Sequence, residues 1–111
     1  MEIIKLNIIP KGVNYCAHAS LNDNGRIFRA ELFEDTERYT LTGSERLRVR
    51  YRRPDNVISS FSVVNTGSNY IDISIPSDLT ARAGLIYCKL RINSISCKAF
   101  YIDVENKAGG L

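Results

Sequence analysis

Apolar and polar residues alternate with period two along most of this chain, most regularly in Arg46-Leu47-Arg48-Val49-Arg50-Tyr51-Arg52-Arg53. Successive side chains of a β-strand point to opposite faces, so the stretch predicts a strand with Leu47, Val49 and Tyr51 turned inward. Arg46, Arg48, Arg50 and Arg52 then share the outward face. The same period places Ile4, Leu6 and Ile8 inward in residues 2–9, and Phe28, Ala30 and Leu32 inward in 26–34. It gives Phe61 and Val63 in 57–64, and Ile71, Ile73 and Ile75 in 70–75. Ile86, Cys88, Leu90 and Ile92 follow in 85–92, then Phe100, Ile102 and Val104 in 95–105.

Turn chemistry separates these runs. Pro10-Lys11-Gly12, Asn22-Asp23-Asn24-Gly25, Pro54-Asp55-Asn56 and Asn65-Thr66-Gly67-Ser68-Asn69 carry residues that preset φ, accept positive φ or bond their own backbone. Asn93-Ser94 makes a tight connection, and residues 13–24 read as irregular. The one helix candidate is 77–84, one or two turns with Ser77 as N-cap and Gly84 as the stop. About seven short strands with almost no helix predict an all-β fold, an immunoglobulin-like antiparallel β-sandwich with one short helical turn. There is no tryptophan, so an antibody-type Cys-Trp-Cys framework is excluded. Residues 1–105 form the expected domain, and 106–111 read as a flexible tail or the start of a linker.

Composition narrows the function classes. At 111 residues the chain suits one domain with a real core. A net charge of +3 is too mild for a dedicated nucleic-acid binder. Cys16, Cys88 and Cys97 are an odd set with no CxxC spacing, which fits reduced thiols in a reducing cytoplasm. A Cys88–Cys97 bridge across a hairpin is the less favoured alternative. No basic leader precedes an apolar run, and no stretch reaches the roughly 20 apolar residues of a membrane helix.

Candidate chemistry is sparse. With three cysteines and His18 the inventory lacks the ligand spacing of a zinc site, and Asp23-Asn24-Gly25 is a turn rather than a calcium loop. His18 has no Ser/Asp constellation beside it in sequence, and no phosphate-binding glycine loop is present, so neither enzyme nor cofactor is expected. The arginine face is the feature left to explain, since five of ten arginines lie in residues 46–53. Same-face neighbours about 7 Å apart repel by only ~0.6 kcal/mol in water. Glu31, Glu45 or Asp72 on adjacent strands would offset that cost and leave an ordinary solvated face. No aromatic accompanies the arginines on their own side of the strand, which disfavours single-strand nucleic-acid binding. Arginine rather than lysine favours docking onto an acidic protein surface. A carbohydrate-binding sandwich would want an exposed tryptophan platform, which is missing.

An ordered set of motifs adds a resemblance. Met1-Glu2-Ile3-Ile4-Lys5-Leu6-Asn7-Ile8-Ile9 is followed by Arg26-Ile27-Phe28-Arg29-Ala30-Glu31-Leu32-Phe33-Glu34-Asp35. Tyr39-Thr40-Leu41-Thr42-Gly43 comes next, then the basic strand ending Arg53-Pro54-Asp55, and Ala83-Gly84 before a strand pair. Together they resemble the N-terminal domain of phage baseplate upper proteins, from tailed phages and prophages of Gram-positive bacteria, over residues 2–105. The resemblance implies a virion structural domain, made in the bacterial host cytoplasm, that attaches a peripheral receptor-binding subunit to the tail hub. Its implied partners are other tail and baseplate proteins, with a homo-oligomer also compatible and no membrane. Family members continue into coiled-coil or collagen-like segments, whereas this chain stops at Leu111. A cut-out domain or a short stand-alone tail protein is therefore expected. On this reading Arg46, Arg48, Arg50 and Arg52 belong to an interface, and a small nucleic-acid-binding β domain using residues 46–53 is the alternative.

Overall fold

A computed structural model describes residues 1–64 and 67–106. Asn65 and Thr66 of the expected turn, and residues 107–111 of the expected tail, lie outside the described residues. One sheet holds β1 (Ile3–Asn7), β3 (Ile27–Glu34), the short β4 (Glu37–Arg38) and β7 (Tyr70–Ser74), with β3 bonded to the other three. The second sheet runs β2 (Cys16–Ser20), β10 (Phe100–Glu105), β8 (Gly84–Ile92), β5 (Leu47–Arg52) and β6 (Ile58–Val63). A two-residue β9 (Ile95–Ser96) folds back on β8.

The two sheets form a β-sandwich around one apolar layer, as the alternation predicts. Ile4, Leu6, Phe28, Ala30, Leu32, Ile71 and Ile73 meet Leu47, Val49, Tyr51, Ile86, Cys88, Leu90, Ile92, Phe100, Ile102 and Val104 in a single buried cluster. Phe28 of one sheet and Phe100 of the other pack as tilted rings with centroids 5.9 Å apart. Each fully buried side chain of this size contributes about 1.5–3 kcal/mol by leaving water. This layer is the main source of stability.

The sheets are mixed, which corrects the expectation of purely antiparallel pairing. β1 runs parallel to β3, with Ile4 opposite Ala30, and β10 runs parallel to β2, with Ile102 opposite Ala17. Parallel neighbours need a crossover rather than a hairpin. The chain supplies one by crossing to the second sheet as β2 before returning as β3. Alternation has the same period in both pairings, so direction is not written in it.

Other differences have equally local causes. Residues 13–24 are not wholly irregular, because they contain β2, whose inward residues are Ala17 and Ala19. Alanine has low strand propensity and gives little hydrophobic contrast. The predicted strand 95–105 is broken over residues 97–99. Cys97, Ala99 and Phe100 are all buried, so the inward parity shifts by one residue there. The Lys98 amide reaches across to the Asn7 carbonyl at 2.9 Å. The helix candidate shrinks to a 3₁₀ turn, Leu79–Ala81, capped at Asp78 rather than Ser77 with no side-chain cap bond. Thr80 holds that turn in place, its hydroxyl donating to the Asp23 carbonyl at 2.5 Å. Gly84 starts β8 instead of ending a helix, at φ 125°, where an added Cβ would meet Pro54 Cγ at 2.8 Å. All three cysteines are free thiols.

Truncating Phe100 to Ala should cost about 3–5 kcal/mol in urea unfolding, since it removes one half of the ring contact between the sheets. Arg50→Ala on the outer face should change stability by no more than about 0.5 kcal/mol. Equal effects would contradict this division between core and surface.

Candidate docking face

β5 alternates buried and exposed at every residue, so Arg48, Arg50 and Arg52 stand on the outer face over Leu47, Val49 and Tyr51. Arg46 precedes the strand. Its amide donates to Asn93 Oδ1 and its carbonyl accepts the Asn93 amide, both at 2.9 Å. Asn93 sits at φ 53°, a left-handed position that asparagine tolerates, and so closes the β8–β9 turn beside the arginine row.

Pairing with β8 enlarges the row. Arg48 lies opposite Arg91, Arg50 opposite Lys89, and Arg52 opposite Tyr87. On the other side, Arg48, Arg50 and Arg52 face Ser62, Ser60 and Ile58 of β6. Arg48 donates to Ser60 Oγ at 2.9 Å and to Ser62 Oγ at 3.1 Å. Two basic rows therefore stand side by side on one sheet face. The alternating Lys89-Leu90-Arg91 of β8 is the sequence signal for the second row, but which strand it would adjoin is a property of the register.

The expected acidic offsets are elsewhere. Asp72 binds Arg29 on the other sheet, at 2.8 Å. Glu45 accepts the Thr42 and Gly43 amides at 2.8 and 3.0 Å, and these bonds hold its carboxyl below the usual range. Glu31 lies in β3, on the first sheet. Among the described residues, no ion pair reaches Arg46, Arg48, Arg50, Arg52, Lys89 or Arg91. Like charges directly opposite across a pair of strands destabilise a sheet, here by up to ~0.8 kcal/mol per pair in water.

The sheet also supplies the aromatics that β5 lacks on its charged side. The Arg52 guanidinium lies 5.5 Å from the centre of the Tyr87 ring, and Tyr87 meets Tyr101 edge-on at 5.7 Å. Arg50, Tyr51, Arg52, Ile58, Tyr87 and Lys89 line a shallow depression of about 280 Å³. Aromatic rings therefore do stand beside the arginines on this face, contrary to the expectation from β5 alone.

Arg53 does different work. It is 10% exposed and reaches Asp55 at 2.8 Å and Asp78 at 3.2 Å. Tyr51 donates to Asp78 Oδ2 at 2.5 Å, and burial, then this carboxylate, pushes the phenol up to about 12. The turn after β5 is thus clamped to the 3₁₀ turn. His18 stands on β2, not in a loop, and its Nδ1 meets Glu2 Oε2 at 2.5 Å. That bond raises the imidazole pKa. Burial raises all three thiols, Cys97 to about 12, so none is an activated nucleophile at neutral pH. Among the described residues no helix is long and apolar enough to cross a membrane.

The ion pairs make a pH prediction. Arg53 holds the Asp55 carboxyl below its ordinary value, and Arg29 does the same for Asp72. Their contribution to stability is complete above the unfolded carboxyl value of about 3.9 and is lost as pH falls through the folded values. Replacing both aspartates by Asn should flatten the acid decline of the urea midpoint below about pH 4. An unchanged acid limb would show that other carboxyls govern it.

No protein-family model matches the chain, and no curated protein matches its sequence. Among solved structures, its fold matches the N-terminal domain of phage TP901-1 ORF48 with a TM-score of 0.71 at 16% identity. The match covers 96% of this chain and all (100%) of that domain. The likeness establishes a shared β-sandwich fold.

Proposed function

We propose that the chain is a structural domain of a phage tail, acting as a docking module that joins a peripheral baseplate subunit to the tail hub. Two independent lines support the phage setting: the ordered motifs of residues 2–105 resemble a baseplate domain family, and the fold is shared with a phage protein domain end to end. The observation that carries the docking role is the double basic row of Arg48, Arg50 and Arg52 beside Lys89 and Arg91. Core packing requires nothing of these outward positions, and cross-strand pairing penalises like charges there. An acidic partner surface would remove that penalty and match the planar, multi-donor guanidinium groups. The reading assigns the domain no reaction.

Arg48→Glu with Arg50→Glu should leave the far-UV spectrum and unfolding midpoint nearly unchanged while abolishing co-purification with the tail hub protein. Assembly at the wild-type level would refute the docking role.

A second reading, single-stranded nucleic acid, is favoured by one observation, the Tyr87 ring beside Arg52. A salt titration with an oligonucleotide separates the two. Contact with several phosphates makes log affinity fall by roughly 0.7 per phosphate for each unit of log salt. No measurable oligonucleotide binding at low salt would remove this second reading.

A further inference from the structure

The opposite edge of the same sheet carries a separate cluster that the docking face does not use. β2 and β10 pair in parallel with His18 opposite Asp103 and Ser20 opposite Glu105. Residues two apart on a strand share a face, so the imidazole and both carboxylates lie together on the outer surface. One ligand atom from each of His18, Asp103 and Glu105 falls within 4.8 Å of the others. A transition ion with ligand bonds of about 2.0–2.2 Å would need only a small closure of these side chains.

Glu2 adds the second element. Its Oε2 engages His18 Nδ1 at 2.5 Å, and its Oε1 accepts the His18 amide at 2.7 Å. A carboxylate on one ring nitrogen fixes the ring and its tautomer, as it does for metal-bound histidines, which ligate through the other nitrogen. A depression of about 30 Å³, lined by His18, Ala19, Ser20, Arg26 and Glu105, adjoins the cluster. That depression has room for an ion or a water. The Arg26 guanidinium in that lining is held by Asp23 Oδ2 at 2.6 Å.

We propose that His18, Asp103 and Glu105, with Glu2 orienting the imidazole, form a binding site for a divalent transition ion of the zinc class. One imidazole and two carboxylates suit such an ion better than calcium or magnesium, which prefer all-oxygen sets. The bound ion clips β2 to β10 and, through Glu2, the start of β1 to the same point.

Zinc titration of the full chain by calorimetry at pH 7 tests the site. Saturable 1:1 binding is expected, with a thermal midpoint that climbs as free zinc exceeds the dissociation constant. Asp103→Asn with Glu105→Gln should abolish it, and His18→Gln should do so independently. Glu2→Ala should weaken it by about 10–100-fold, the usual effect of losing an orienting carboxylate. Cys16→Ser should bind as the wild type does, and the metal-free unfolding midpoint of each variant establishes that it folds. No saturable binding, binding that survives the Asp103/Glu105 double change, or loss in Cys16→Ser alone would overturn the proposal.

Discussion

Two sheets share one apolar layer only about 10 Å thick, and the rest of the molecule follows from that. The layer is closed where Phe28 packs against Phe100 and where Ala17 and Ala30 are fully buried at its parallel-paired strands. Every strand that contributes to it is committed to one inward face, because a one-residue slip would exchange buried isoleucine for exposed charge. The outward residues are released from packing by the same commitment. β5 is the extreme case, with Leu47, Val49 and Tyr51 almost wholly buried while Arg48, Arg50 and Arg52 are exposed.

That division decides how the basic rows are to be understood. The repulsion between opposed cations costs well under the 1.5–3 kcal/mol returned by each large inward side chain, so the fold tolerates it easily. Tolerance does not explain why β8 sets Lys89 and Arg91 against the arginines, when acids there would have stabilised the sheet. The acids that sequence alone would recruit are engaged elsewhere, Asp72 with Arg29 and Glu45 with loop amides. Folding alone gives no reason for a face held against this small electrostatic gradient, and the proposed docking role would supply one.

The inward sets of β1, β3, β5, β7, β8 and β10 are legible in the sequence because one-sided burial imposes period two. β2 is not, since Ala17 and Ala19 mark its inner face too faintly. The break at residues 97–99 is also hidden, because the parity shift between Ala99 and Phe100 makes sense only once Lys98 is seen to reach Asn7. For the docking face, the arginines are legible and their neighbours are not. Lys89, Arg91 and Tyr87 join them through antiparallel register, and His18 joins Asp103 through a parallel pairing between distant segments. Local pattern reports which way a residue points; it carries no record of what lies on the next strand.

The register further arranges the outer face by charge along β8. Leu85 lies beside Asp103, Tyr87 between Tyr101 and Arg52, Lys89 beside Arg50, and Arg91 beside Arg48. The four residue steps from Leu85 to Lys89 span about 13 Å of strand, longer than the Debye length of about 8 Å at physiological salt. The carboxylates of β10 are therefore largely screened from the basic rows, with the edge-packed tyrosines between them. A partner meeting this face encounters a cationic corner and an anionic, histidine-bearing corner as separate features. On the proposed docking role, an acidic surface would gain by engaging the first and lose by covering the second, which would turn it toward the β5–β6 edge. A cation held at the proposed His18 site would weaken that repulsion and let such a surface cover the face more broadly.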